Sequence, residues 1–247
     1  MKALQVTRPR LFEPKEIPVP ALPPDGPARV LVRTAWAMTC GSDIPFFTGN
    51  KRHRSYPLPP GAPIHECIGE VVESTGAGFR PGDTVLSIPE GDLGLAEYFV
   101  ALASKTVVLD SAADDGGAAC LIQPLSTVMN AIDRLGDLRG RSVAVVGLGS
   151  IGLMFCWLAK RGGAGAVIGI DPVAERCRFA ETLGATQTWC CRGIEAAQRM
   201  RIHPDAWTPP DICVEAVGHE MDSLNDCVEL VRIYGKFVAF GVPDQPV

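Results

Sequence analysis

The run Val143–Asp171, VAVVGLGSIGLMFCWLAKRGGAGAVIGID, decides the fold of the second half of the chain. VAVV is a short β-branched run, and the turn after it carries glycines at Gly147, Gly149 and Gly152. A helical run follows, then a second β-rich run, AVIGI, closed by Asp171. In a strand–turn–helix–strand unit of this kind the first glycine permits the tight turn and the second lets backbone approach a pyrophosphate. The third lets the helix pack close to the strand. The helix opening near Ser150 aims unpaired N–H groups and its positive dipole end at the phosphates. Asp171 stands nineteen residues beyond Gly152. An acid there accepts from the adenosine ribose hydroxyls and repels an extra phosphate, so NAD is expected over NADP. Val143 to Ala159 is free of charge over seventeen residues, close to transmembrane length. Its central glycines split it into strand and helix, so no membrane span is expected.

On either side of this unit the pattern differs. Downstream, strands are expected at Gln187–Cys190, Ile212–Val217 and Lys236–Phe240, with helices at Val173–Leu183, Glu195–Arg201 and Met221–Val231. This alternation specifies a parallel sheet with helices on both faces. Upstream, Val30–Thr34, Cys67–Ser74, Thr84–Ile88, Glu97–Val100 and Thr106–Leu109 read as strands, with Pro- and Gly-rich turns between them, as in an all-β barrel or sandwich. Ala118–Leu135 reads as a helix interrupted at Pro124. Two domains are therefore expected, residues 1–138 and 139–247, joined at the polar stretch 136–141.

Composition narrows the function classes. A net charge of −5 without a basic run argues against nucleic-acid or membrane-surface binding. The nine cysteines are odd in number, form no CxxC pair and follow no secretory signal, so free thiols in the cytoplasm are expected.

Two short motifs carry candidate chemistry. Cys40, Ser42 and Asp43 lie in TCGSD after the Val30–Thr34 strand, and His65 and Glu66 lie in IHE before the next one. Thiolate, imidazole and carboxylate are common zinc ligands. Each residue also has a plainer reading, a buried thiol for the cysteine and surface polarity for His–Glu. Spacing alone leaves both open. His53 and His219 read as loop and turn residues.

TCGSD, IHE followed by CIGEVVE, FRPGDTV (79–85), LAEYFV (95–100), IQPLST (122–127), GLGSIG, DPVAER with LGA (171–185) and EAVG (215–218) occur in one order. That series resembles the zinc-containing medium-chain alcohol dehydrogenase family, and within it the polyol and sugar branch of sorbitol, threonine and glucose dehydrogenases. The resemblance implies a GroES-like β-barrel followed by a Rossmann doubly wound sheet. It implies a catalytic zinc at Cys40, His65 and Glu66, with Gln123 where relatives often carry a glutamate. Ser42 matches the hydroxyl that passes the substrate proton towards solvent, and Asp43 a carboxylate behind the ligands. Gly147, Leu148, Gly149, Ser150, Ile151, Gly152, Asp171, Arg176, Val217, Gly218 and Thr127 match the NAD contacts. The implied reaction is hydride transfer from a secondary alcohol of a small polyol or sugar-like substrate to NAD. A metal-independent enone or quinone reductase of the same superfamily, and a catalytically silent NAD-binding protein, are the alternatives.

Several departures from the family stand out. The four-cysteine lobe for a structural zinc is absent, so a single catalytic zinc is expected. The glycine of the family's GHE is Ile64, and Pro45 and Phe46 replace polar positions of a longer proton relay. The chain stops at Val247 after the Lys236–Phe240 strand, which implies a sheet truncated after about its fifth strand. A second copy or another partner is then expected to cover the open edge.

Overall fold

The computed structural model describes residues 1–49, 55–110, 117–203, 207–218 and 222–242. The chain divides into two compact units, Met1–Pro124 and Leu125–Val247. The division falls earlier than the 138/139 boundary expected from sequence. The physical reason lies in α2 (Ile122–Leu135), whose Val128 and Leu135 are buried in one cluster with Val143, Val145 and Phe155.

In the first unit, β3 (Arg29–Met38), β4 (Glu66–Ser74), β5 (Thr84–Pro89) and β6 (Tyr98–Val108) close into a barrel. Val30, Val32, Val71, Val85, Phe99 and Ala101 alternate inward and fill it, together with Ile64. Residues 97–100 and 106–109 read as separate short runs in the sequence. All but Glu97 and Leu109 belong instead to the one strand β6, which pairs with β3 through Arg29–Arg33 and with β5 through Val85–Pro89. A hairpin of β1 (Lys2–Arg8) and β2 (Leu11–Glu16) precedes the barrel. A five-residue helix α1 (Ile44–Thr48) follows β3.

The second unit is a five-stranded parallel sheet in the order β11–β10–β7–β8–β9. Its strands are β7 (Ser142–Val146), β8 (Ala166–Ile170), β9 (Gln187–Trp189), β10 (Ile212–Glu215) and β11 (Lys236–Ala239). Helices α3 (Ser150–Arg161), α4 (Ala174–Thr182), α5 (Gly193–Ile202) and α6 (Asp222–Leu230) connect them. Successive residues of a strand face opposite sides, and the core divides accordingly. Val143, Val145, Val167 and Val214 enter one cluster, while Ala144, Val146, Ile168, Ile170 and Cys213 enter the other. Over β7, β8 and β10 both faces are covered, which is why these three strands are near-continuous apolar runs rather than alternating. On α3 the buried residues are Gly152, Phe155, Cys156 and Ala159, the i, i+3, i+4, i+7 stripe of a helix lying on a sheet. Phe155 meets Phe240 edge to face at 5.0 Å.

Chain order runs β7, β8, β9 in one direction and then crosses back to β10 on the other side of β7. The topological switch therefore lies between β7 and β10. In open α/β sheets the carboxyl ends of the strands at such a point are where a ligand sits.

Candidate functional site

The antiparallel register of β3 and β4 assembles the first candidate site. Met38, the last residue of β3, pairs with Glu66, the first of β4. Cys40 lies just beyond one strand end and His65 just before the other, so residues far apart in sequence meet at one end of the barrel. The potential ligand atoms of Cys40, His65 and Glu66 all lie within 4.8 Å of one another.

Asp43 orders this group from behind. Its Oδ2 accepts the backbone N–H of Cys40 at 2.7 Å, and its Oδ1 lies 3.2 Å from His65 Nδ1. With Nδ1–H donated to Asp43, the other ring nitrogen, Nε2, is turned to the cluster, 3.5 Å from Ser42 Oγ. The Asp43 and Cys40 hydrogen bonds, opposed by burial, push the His65 pKa up to about 11.

Glu66 is the decisive group. It is 1% exposed, and neither carboxylate oxygen finds a hydrogen-bond partner of acceptable geometry. Burial pushes its carboxyl up; the nearby Cys40 thiol and the His65 charge pull it back in part. A buried carboxylate without donors costs free energy on the order of 1–3 kcal/mol or more. A divalent cation supplies the missing counter-charge, and the sulfur, nitrogen and oxygen donors present suit zinc. The residues fit the group.

Gln123 is half-buried in the first turn of α2. It follows Cys120, which packs with Ile68 and Leu86 of the barrel. Ile64 fills the barrel core; Pro45 is buried in α1 and Phe46 packs beside Val6, Leu58 and Ala62, so these two positions offer no polar side chain to a longer relay. His53 and His219 lie outside the described residues.

The second candidate site is the glycine turn. Gly147 has φ +92°, and a Cβ there would come within 2.9 Å of the backbone of Ala216 and Val217. A Cβ on Gly152 would overlap the Gly147 carbonyl oxygen. At Gly149, by contrast, a Cβ would meet nothing within 4 Å, and its φ of −69° is ordinary. No packing or backbone constraint of the protein requires that glycine, while close approach of a phosphate does. Asp171 is buried at the end of β8. Its Oδ2 accepts Leu148 N–H at 2.8 Å and Arg176 Nη1 at 3.3 Å, and its Oδ1 accepts Val173 N–H at 2.8 Å. The acid thus also braces the turn. Thr127 is exposed on α2, and Val217 and Gly218 follow β10.

Residues 26–111 match the family model of the alcohol dehydrogenase GroES-like domain, and residues 150–247 that of the zinc-binding dehydrogenases. A sorbitol dehydrogenase of Gallus gallus is 30% identical over 259 residues, spanning 92% of this chain and 72% of its own. The chain belongs to the zinc-containing medium-chain alcohol dehydrogenase family. It is an oxidoreductase of that kind, with zinc and NAD as the cofactors the family implies. An L-threonine 3-dehydrogenase of Caldanaerobacter subterraneus subsp. tengcongensis is 27% identical over 259 residues, 92% of this chain and 72% of that protein. The solved alcohol dehydrogenase of Thermus sp. ATN1 superposes with a TM-score of 0.81 at 28% identity, over 100% of this chain and 79% of that one. Among the described residues no helix is long and apolar enough to cross a membrane.

One acid beside the glycine turn went unassigned at the level of sequence. Glu215, buried at the end of β10, accepts several hydrogen bonds beside the turn. Its signals are a carboxylate closing the apolar run ICV and its place at the head of EAVG (215–218).

Proposed function

We propose that the protein oxidises a secondary alcohol of a small polyol or sugar-like molecule with NAD, at a single catalytic zinc held by Cys40, His65 and Glu66 with Gln123 as a further oxygen donor. The observation that carries this reading is the pair of partnerless Glu66 oxygens beside a thiol and an imidazole. When bound, zinc supplies Lewis-acid polarisation of an alcohol oxygen, and NAD accepts the hydride. Ser42 Oγ takes up the hydroxyl proton and passes it towards solvent. Asp43 holds the His65 ring with Nε2 turned towards the cluster, and holds Cys40 through its backbone N–H.

The dinucleotide is read as lying on Gly147, Leu148, Gly149, Ser150, Ile151 and Gly152, with Asp171 and Arg176 at the adenosine ribose and Val217, Gly218 and Thr127 as further contacts. The negative Asp171 favours NAD over NADP. The cysteines described are free, consistent with a reducing compartment such as the cytoplasm. β11 is an outer strand of its sheet, the edge to which a second copy or another partner would add.

The test is NADH formation on a panel of polyols and sugar alcohols, using protein stripped of metal and then reloaded with zinc. Alcohol-dependent NADH that returns with zinc supports the reading. Tight NAD binding with no zinc uptake and no turnover would show a silent NAD-binding protein instead.

A further inference from the structure

Glu215 closes β10 and is 1% exposed. Its Oε1 accepts the backbone N–H of Val217 at 3.0 Å and of Gly218 at 2.9 Å, and the Ser223 hydroxyl at 2.8 Å. Its Oε2 accepts the N–H of Gly241 at 3.1 Å. All four partners donate, the pattern of a carboxylate anion. One buried charge thus ties together the loop leaving β10, the first turn of α6 and the loop leaving β11. The fit is close: a Cβ on Gly241 would overlap Glu215 Oε2 and Gly218 N.

The location gives this charge a use. Gly147, which opens the phosphate turn, lies against Ala216 and Val217 across the switch point between β7 and β10. A dinucleotide straddles such a point. Asp171 ends β8 on one side and marks the adenosine half, so the other half falls over the ends of β10 and β11, which Glu215 organises. The nicotinamide ring is cationic when oxidised and neutral when reduced. A fixed, desolvated negative charge at that end discriminates between the two.

We propose that Glu215 is a positioning residue that orders the nicotinamide end of the site and whose buried charge strengthens binding of the oxidised cofactor relative to the reduced one. The inference rests on the NAD reading above. It goes beyond it by naming a residue that sets the preference between the two redox forms.

The experiment measures calorimetric affinities of the zinc-loaded full chain, without alcohol, for ADP-ribose, NADH and NAD⁺. Glu215→Gln is expected to leave ADP-ribose within about twofold and to lower the ratio of NAD⁺ to NADH affinity roughly three- to tenfold, the scale of one charge acting through a partly polar medium. Val217→Lys serves as a second variant, because Val217 is 40% exposed and tolerates a long side chain. The added cation is expected to shift the same ratio in the same direction. Equal weakening of NAD⁺ and NADH in Glu215→Gln would mean that the residue merely ties loops together, and would overturn the charge role. An unchanged ratio in both variants would overturn it as well. If ADP-ribose fails to bind the unmodified chain, the dinucleotide reading falls and takes this inference with it. ADP-ribose binding with an unmoved ratio removes the inference alone.

Discussion

Replacing Glu66 by methionine is expected to stabilise the metal-free protein while abolishing its response to zinc. Glu66 is buried with neither oxygen hydrogen-bonded, and burial raises its pKa, so in the absence of a cation the carboxyl is a net cost to the fold. Methionine has a similar volume and no polar group to desolvate, so the metal-free variant should gain about 1–3 kcal/mol. For a chain of this size each kcal/mol moves the melting temperature by about 2–4 °C. Zinc acts oppositely. At 100 times its dissociation constant a ligand stabilises by about 2.7 kcal/mol. Loss of a residue that merely orients a ligand weakens metal binding by up to about 100-fold, and loss of a ligand should cost no less. At the same zinc concentration the stabilisation then falls to about 0.4 kcal/mol. The assay is a thermal melt of both proteins with chelator and with zinc. Zinc should raise the melting temperature of the unmodified chain by several degrees and leave Glu66→Met nearly unmoved, from a higher starting point. A variant that is less stable without metal, or that still responds fully to zinc, would refute the reasoning.

Other outcomes follow from the same geometry. Gly149→Ala should leave the stability of the apoprotein within about 1 kcal/mol of unchanged, because nothing lies within 4 Å of the new methyl, yet weaken NAD at least tenfold by calorimetry. Gly152→Ala, whose Cβ would overlap Gly147 O, should lose both stability and NAD binding. Asp171→Ala should weaken NAD and narrow the gap to NADP in parallel titrations; equal affinities of the unmodified chain for both cofactors would contradict the assigned preference. The hydrogen bonds from Ser142 hold the Asp211 carboxyl below its ordinary value of 3.8, with Arg232 assisting. A depressed folded pKa gives stability that is complete above the unfolded value and is lost as pH falls through the folded one. Asp211→Asn should therefore be less stable than the unmodified protein by about 1–2 kcal/mol at neutral pH, and the gap should begin to close as pH falls below about 4.

Parts of this architecture were legible in the sequence and parts were not, for physical reasons. Strands β7 and β8 contain the runs VAVV and AVIGI read from the sequence, because parallel strands buried on both faces are continuous apolar runs with glycines close to their ends. The hairpin β1–β2 was not legible: LFEPKE is half polar and contains Pro14, which speaks against a strand except at an edge. Strand β6 read as two fragments because Ala103, Ser104 and Lys105 are weak strand formers, and only its pairing with both β3 and β5 makes them one. The residue types for a metal site were visible in TCGSD and IHE. What joins them is the Met38–Glu66 register, which barrel closure sets and local sequence does not encode. The reason Glu66 matters, two carboxylate oxygens without donors, exists only in three dimensions.

X-ray absorption at the zinc edge of the metal-loaded protein tests the metal centre most directly. The account predicts a four-coordinate shell with one sulfur at about 2.3 Å, from Cys40, and three nitrogen or oxygen neighbours at about 2.0–2.2 Å. The sulfur contribution should vanish in Cys40→Ser while NAD affinity stays nearly intact. A shell with no sulfur, or with two or more, would contradict it.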